Sequence, residues 1–185
     1  MLIPTLQTAE AAVAPPLGTA AAFAVLGSST VTNTGNTVIN GNLGVSPGSA
    51  ITGFPPGLVV PPGTVHAADA AAAGAQSDTT IAYNALAGQP CNFNLTGQDL
   101  GGLTLIPGVY CFASSAQLTG AVTLNAQGNS NSVFIFQIGS TLTTASNASV
   151  NIINGVRGCN VFWQIGSSAT LGTSALAKSY PLVLI

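Results

Sequence analysis

Charge is the scarcest property of this 185-residue sequence. Two Lys or Arg and four Asp or Glu residues make up 3% of the chain, against about 25% in ordinary soluble domains. Two cations are too few for a phosphate-binding surface, so we expect no nucleic-acid partner. The four acidic residues are scattered, which argues against the clustered ionisable groups of a hydrolytic site. We therefore expect no enzyme activity, no cofactor and no bound metal.

Long apolar runs and cysteines are also scarce. No uninterrupted run of about 18 apolar residues occurs, so the sequence predicts no membrane-spanning helix. Residues 1–16 lack a basic start and a long apolar stretch, and they predict a tail or the remnant of a signal peptide. Of the three cysteines, Cys91 and Cys111 could form a disulfide, although three buried thiols, with Cys159, are the alternative.

Neutral polar residues take the place of charge. The chain contains 20 Thr, 16 Ser, 14 Asn and 22 Gly residues, and 47% of it is hydrophobic. That hydrophobicity is too high for a disordered chain. The composition predicts one folded domain over residues 17–185, with a core and a hydrogen-bonding, nearly uncharged surface.

An internal repeat is visible in the C-terminal half. The segment Phe136–Ser140 recurs 27 residues later as Trp163–Ser167. Each repeat contains three short apolar runs separated by Gly, Asn and Ser, and the N-terminal half shows the same three-part pattern. Three short strands per repeat predict a triangular β-solenoid whose coils stack about 4.8 Å apart.

The three predicted faces differ in chemistry. The first, which includes Phe23–Leu26, Phe134–Phe136 and Phe162–Trp163, is apolar at consecutive positions, so both of its sides should be buried. The second alternates strictly, and its inward residues are Val31, Ile51, Leu118, Leu142 and Leu171. The same alternation turns these polar residues outward: Thr30, Thr32, Thr34, Thr52, Ser115, Gln117, Thr119, Thr141, Thr143, Ser168 and Thr170.

One segment interrupts the repeat. Residues 65–87 predict a long helix with Thr64 as its N-cap and Gly88 after its end. Its Ala-rich stripe would let it pack closely along the doubly apolar face. About 23 residues span roughly 35 Å, comparable with roughly 29 Å for six coils. His66 and Asp69 lie three residues apart on this helix, a pair that is more often a solvated turn than a functional site.

Several segments resemble the DUF3494-type microbial ice-binding protein family. They are Ser29–Gly35, Gly41–Gly48, Thr52–Gly57 and Val161–Gln164. The resemblance implies a discontinuous β-helix with one long α-helix packed alongside, and a flat β-helix face that binds ice. In the family further coils follow the segment that ends here at Thr173. The sequence departs from that pattern beyond Thr173, so we expect the last coils to be missing.

Two functions fit this sequence. An ice-binding, antifreeze protein would adsorb through the outward Thr and Ser residues and inhibit ice growth or recrystallisation. Thr carries a hydroxyl and a methyl on a stiff side chain, and the predicted strands would space outward residues on a grid of about 6.7 by 4.8 Å. The alternative is a cell-surface adhesin or structural solenoid without ice activity. For the first function we expect a secreted or cell-surface monomer whose partner is the ice crystal surface, without membrane insertion.

Overall fold

The computed structural model describes residues 11–172 and 182–184. Its backbone divides into two compact units. The N-terminal unit runs from Pro15 to Asn84, and the C-terminal unit contains the described residues from Ala85 onward together with residues 11–14. Parallel strands form three sheets in each unit, and the described residues contain one α-helix, α1 (Ala70–Ala87). The predicted class, mainly β with one helix, is confirmed.

The N-terminal unit contains two short coils and a further strand. Its strands are β1 (Phe23–Gly27), β2 (Thr30–Thr32), β3 (Val38–Asn40), β4 (Asn42–Val45), β5 (Ala50–Thr52), β6 (Leu58–Val60) and β7 (Val65–Ala67). The first sheet has the order β1-β4-β7, the second pairs β2 with β5, and the third pairs β3 with β6. Each coil thus gives one strand to each sheet, as in a three-sided β-helix.

The C-terminal unit repeats this arrangement with longer coils. Its strands are β8 (Phe93–Asn94), β9 (Thr104–Leu105), β10 (Gly108–Phe112), β11 (Ala116–Leu118), β12 (Ala121–Asn125), β13 (Phe134–Ile138), β14 (Thr141–Thr144), β15 (Ser149–Ile153), β16 (Val161–Ile165), β17 (Ser168–Thr170) and β18 (Leu182–Leu184). The sheet orders are β18-β16-β13-β10-β8, β11-β14-β17 and β15-β12-β9. Phe136 pairs with Trp163, so the 27-residue repeat is one coil.

An aromatic ladder runs through the core of the C-terminal unit. Phe93, Tyr110, Phe136 and Trp163 lie in register on successive strands, with ring centroids 4.9, 5.5 and 4.0 Å apart. The Tyr110 hydroxyl donates to the Ile106 carbonyl at 2.6 Å, and burial raises the pKa of this phenol to about 12. Each stacked pair contributes about 0.5–1.5 kcal/mol beyond its buried area. The ladder therefore helps to hold the coils in register.

The first sheet of the C-terminal unit is buried on both sides, as predicted. Side chains of β10 and β13 are buried at four of five positions, and those of β16 at all five. The same prediction is wrong for β1 in the N-terminal unit, where Val25 is 36% exposed. β1 lies at the edge of its sheet and pairs there only with β4.

Helix α1 begins at Ala70, so the predicted start at residue 65 is wrong. Residues Val65–Ala67 form β7 instead, because their backbone pairs with Leu43–Val45 of β4. The N-cap is Asp69 rather than Thr64, since Asp69 Oδ1 accepts the backbone N–H of Ala72 at 2.8 Å. The Ala stripe itself is confirmed by four fully buried side chains: Ala72, Ala75, Ala82 and Leu86.

The end of α1 is attached to the first sheet of the C-terminal unit. Gln137 of β13 donates from Nε2 to the carbonyls of Leu86 at 2.7 Å and Gln89 at 2.9 Å. The Gln89 side chain in turn accepts the N–H of Val13 at 2.8 Å and donates to its carbonyl at 2.7 Å. The described end of the predicted tail is therefore bound to this unit.

The Cys91–Cys111 disulfide is present, with the two Cα atoms 5.9 Å apart, while Cys159 is an exposed free thiol. The backbone of Leu182–Leu184 extends the first sheet by pairing with β16. The predicted loss of the last coils concerns the sequence beyond Thr173, and residues 173–181 lie outside the described residues. Within the described residues no helix combines the length and hydrophobicity that crossing a bilayer requires.

Candidate functional site

The densest group of outward hydroxyls lies on the second sheet of the C-terminal unit. Thr141 of β14 pairs with Ser168 of β17, and Thr143 pairs with Thr170. Thr143, Ser168 and Thr170 are exposed, and Thr141 is half-buried. Parallel strands lie about 4.8 Å apart and alternate residues about 6.7 Å apart. The four hydroxyls therefore form a small rectangular array.

The inward side of these strands corrects one prediction. Leu142 is buried and pairs with Ala169, and both pack against the core. Leu171 is 50% exposed, so its predicted inward position is wrong. Ala169 takes that position because the register with β14 places it opposite Leu142, and β17 ends at Thr170.

The neighbouring strand, β11, adds hydroxyls at both of its ends. Ser115 and Thr119 flank β11 and are exposed, and Gln117 lies between them in register with Thr143. Backbone hydrogen bonds from Ser140 to Ser114 and from Ala145 to Leu118 continue the pairing with β14 at either end. The sheet thus brings together six predicted residues: Ser115, Thr119, Thr141, Thr143, Ser168 and Thr170.

Close stacking of the coils keeps this sheet regular. Gly139 and Gly166 lie at the corner where the chain leaves the first sheet, and a Cβ on Gly166 would overlap the carbonyl oxygen of Gly139. Next to this corner, Ser167 donates its backbone N–H at 2.9 Å and its hydroxyl at 3.1 Å to the Ser140 carbonyl. Only glycine allows the two coils to approach this closely.

The N-terminal unit carries the other four predicted residues on its own second sheet. Thr32 pairs with Thr52, and the Thr52 hydroxyl lies 3.3 Å from that of Thr32, to which it donates. Thr30 pairs with Ala50, so a methyl group takes the place of one hydroxyl. Thr34 lies beyond the end of β2. All four threonines are exposed.

Asn33 fixes the corner beside these threonines, a role that the sequence analysis missed. Its Nδ2 donates to the carbonyls of Gly35 at 2.6 Å and Gly53 at 3.0 Å, and its Oδ1 accepts the Thr37 hydroxyl at 2.6 Å. Gly53 has φ +80°, and a Cβ there would overlap the Asn33 carbonyl oxygen. The Asn-Thr-Gly turn was a usable signal, but its contact with Gly53 depends on coil register.

The described carboxylates face hydrogen-bond donors of the protein. Asp78 accepts the N–H and hydroxyl of Thr19, both at 2.6 Å, which lowers the pKa of Asp78. Burial raises the pKa of Asp99, but the N–H groups of Gly101 and Thr119 outweigh it and the net shift is downward. Asp99 forms a parallel bridge with Gln117, which brings one ionised group to the edge of the second sheet.

His66 and Asp69 lie before the helix rather than on it. His66 Nδ1 is 2.7 Å from Asp69 Oδ2, and His66 Nε2 is 2.8 Å from Thr64 Oγ1. The Ala72 N–H and then His66 lower the pKa of Asp69. In the described ranges no three His, Cys, Asp or Glu side chains come together as metal ligands. The pair connects β7 to the start of α1.

The sequence is similar to named relatives over most of its length. A family described as ice-binding-like matches residues 25–179. An ice-binding protein of Nostoc sp. (strain HG1) is 61% identical over 89% of this chain and 60% of the relative. Ice-binding protein 1 of Shewanella frigidimarina (strain NCIMB 400) is 35% identical over 87% of this chain and 21% of the relative. The chain thus spans less than two thirds of these curated relatives.

Solved structures resemble the fold closely. An ice-binding protein from the Antarctic ascomycete Antarctomyces psychrotrophicus has a TM-score of 0.85 and 40% identity, covering 88% of this chain and 79% of that one. An ice-binding protein from an Antarctic biological consortium has a TM-score of 0.85 and 43% identity, covering 95% and 78%. The β-helical architecture is therefore shared with these proteins.

Proposed function

This chain belongs to the ice-binding-like family, and we propose that it adsorbs to ice and inhibits ice growth or recrystallisation. The observation that supports this most strongly is the array on β14 and β17. There Thr141, Thr143, Ser168 and Thr170 present hydroxyls from two strands in register. Hydroxyls held at these fixed spacings would order water molecules without any ionised side chain.

The chemistry of the array suits contact with solid water. A hydroxyl both donates and accepts hydrogen bonds, as each water molecule in ice does. The stiff χ1 of Thr means that little side-chain entropy is lost on contact. Its methyl group excludes water between the hydroxyls. The absence of ionised groups from β14 and β17 avoids strongly held hydration water that would compete with the crystal.

We propose that the remaining predicted residues also contact ice. Thr30, Thr32, Thr34 and Thr52 would supply an additional contact from the N-terminal unit, because they present exposed hydroxyls from paired strands. Ser115 and Thr119 would supply contacts beside the β14–β17 array.

We also propose that the protein acts outside the cell as a monomer, without a catalytic role. The Cys91–Cys111 disulfide is of the kind that persists in oxidising compartments. Only two basic residues occur in the whole sequence, which leaves little to attract nucleic acid.

A matched pair of tyrosine variants tests the proposed site. The wild-type protein should shape growing ice crystals and produce thermal hysteresis, the gap between melting and freezing points. Thr143→Tyr should abolish both, because the ring holds the hydroxyl plane away from the crystal. Thr104→Tyr, an exposed threonine on the third sheet, should keep full activity. Both variants should melt at the wild-type temperature, since both side chains point to solvent.

Two results would contradict the proposal. Full hysteresis in both variants would place the contact surface elsewhere on the molecule. A wild-type protein that neither shapes crystals nor shows hysteresis would remove the proposed function itself and favour a structural solenoid.

A further inference from the structure

We infer that Gln117 sets the edge of the ice-contacting array in the C-terminal unit, an inference that rests on the proposed function. Gln117 is in register with Thr143 of the next coil, and Thr143 is in register with Thr170. The bridge between Asp99 and Gln117 extends this row by one further position. Along one line of outward side chains the order is therefore Asp99, Gln117, Thr143 and Thr170.

Gln117 has a longer side chain than the two threonines, Thr143 and Thr170, that follow it in this row. Its terminal amide atoms are two bonds farther from Cβ than a Thr hydroxyl, a reach of about 2.5 Å more at ordinary bond lengths. Its side chain is exposed, and among the hydrogen bonds of the described residues none holds its amide. Ordering such a flexible group against a crystal costs more entropy than ordering a Thr. A flat crystal plane resting on Thr143 and Thr170 would meet this projecting amide at β11.

The hydroxyls on either side of Gln117 are already in place. Ser115 and Thr119 flank β11 and are exposed, and the backbone pairing with β14 continues past both ends of the strand. In this register Ser115 extends the line of Thr141 and Ser168, so the β11 coil lacks a hydroxyl of the array only at its central outward position. One substitution, Gln117→Thr, would complete a third coil of the array.

The array cannot be extended in the same way at the next position. The Asp99 carboxylate accepts the N–H groups of Gly101 and Thr119, and its lowered pKa keeps it ionised near neutral pH. Replacing Asp99 would remove the partners of these two N–H groups as well as the charge. Both side chains therefore stop the array from extending to further coils. The Gln117 side chain does so without a hydrogen bond to any described residue, whereas the Asp99 carboxylate also holds the neighbouring turn.

The backbone beneath Gln117 tolerates the change. Ala116 and Leu118, its inward neighbours, are 1% and 3% exposed, and the Gln117 carbonyl accepts the Leu100 N–H at 2.9 Å. None of these contacts involves the outward side chain. Threonine also favours strands more than glutamine does, so Gln117→Thr should fold with unchanged or slightly higher stability.

The test compares Gln117→Thr with Asn151→Thr at equal protein concentration. Asn151 is an exposed amide at the centre of β15 on the third sheet, so this control adds a threonine to a strand outside the array. Gln117→Thr should raise thermal hysteresis above the wild-type value, because the crystal plane that meets Thr143 and Thr170 could then also reach the hydroxyls of β11. Asn151→Thr should leave hysteresis at the wild-type value. Thermal melts should show that both variants are folded.

The outcomes separate this inference from the function on which it rests. Unchanged or reduced hysteresis in folded Gln117→Thr, with an active wild type, would overturn the role of Gln117 and leave ice binding intact. An equal increase in both variants would also overturn it, since threonine would then act without regard to position. A wild type without hysteresis or crystal shaping would instead count against the proposed function.

Discussion

Replacing Phe136 with Ala should remove a large share of the stability of the C-terminal unit. Phe136 is fully buried, and its ring stacks on Tyr110 at 5.5 Å and on Trp163 at 4.0 Å. It occupies the third position of the four-ring ladder, so its loss opens a cavity between the coils of Tyr110 and Trp163. The substitution leaves the outward hydroxyls unaltered in sequence.

The magnitude follows from the contacts that are lost. Truncating a buried Phe to Ala costs about 3–5 kcal/mol in transfer and cavity terms. Two stacked pairs each contribute about 0.5–1.5 kcal/mol beyond area burial, part of which those values already include. We therefore expect a loss of about 4–5 kcal/mol, a large share of the roughly 5–15 kcal/mol that stabilises a typical domain.

Guanidinium denaturation followed by tryptophan fluorescence measures this loss, because Trp163 is the single Trp in the chain and stacks on Phe136. Leu171→Ala is the control, since Leu171 is 50% exposed and should cost less than about 1 kcal/mol. A loss below about 2 kcal/mol for Phe136→Ala would refute the ladder as a major source of stability. So would a comparable loss in the control.

Three further predictions concern stability. Replacing Cys91 and Cys111 with Ser should lower the free energy of unfolding by about 3 kcal/mol, because the disulfide closes a loop between residues 20 positions apart and so lowers the entropy of the unfolded chain. An unchanged melting temperature would contradict this. The described aspartates have lowered pKa values, so their stabilisation is complete above pH 3.8 and is lost as the pH falls through the folded-state values. Melts from pH 7 to 2 should show this loss, with a shallower decline in Asp99→Asn. Gly166→Ala should lower the melting temperature because its Cβ would overlap Gly139, and a neutral result would show that the coils can separate without cost.

The register of neighbouring coils was predictable from the sequence, because equivalent residues of the internal repeat pair with each other. Phe136 and Trp163 are 27 residues apart, and they pair in the structure. The outward positions of Thr141, Thr143 and Ser168 followed from strand alternation, which has a fixed period of two. Such repetition constrains both the register and the face of each strand.

The errors lie where tertiary contacts outweigh local pattern. Val65–Ala67 fits a helix by composition, but pairing with β4 makes it a strand. Leu171 continues an apolar alternation, but β17 ends before it and the smaller Ala169 faces the core. The corner at Asn33 depends on Gly53, 20 residues away, and no local signal in the sequence reports that contact.

The most direct test of ice contact through the β14–β17 array is partition into slowly growing ice. A fluorescently labelled wild-type protein should be enriched in the ice fraction relative to the remaining liquid, and Thr104→Tyr should behave in the same way. Thr143→Tyr should be excluded from the ice like an inert protein while melting at the wild-type temperature. Equal incorporation of Thr143→Tyr and wild type would contradict adsorption through this array.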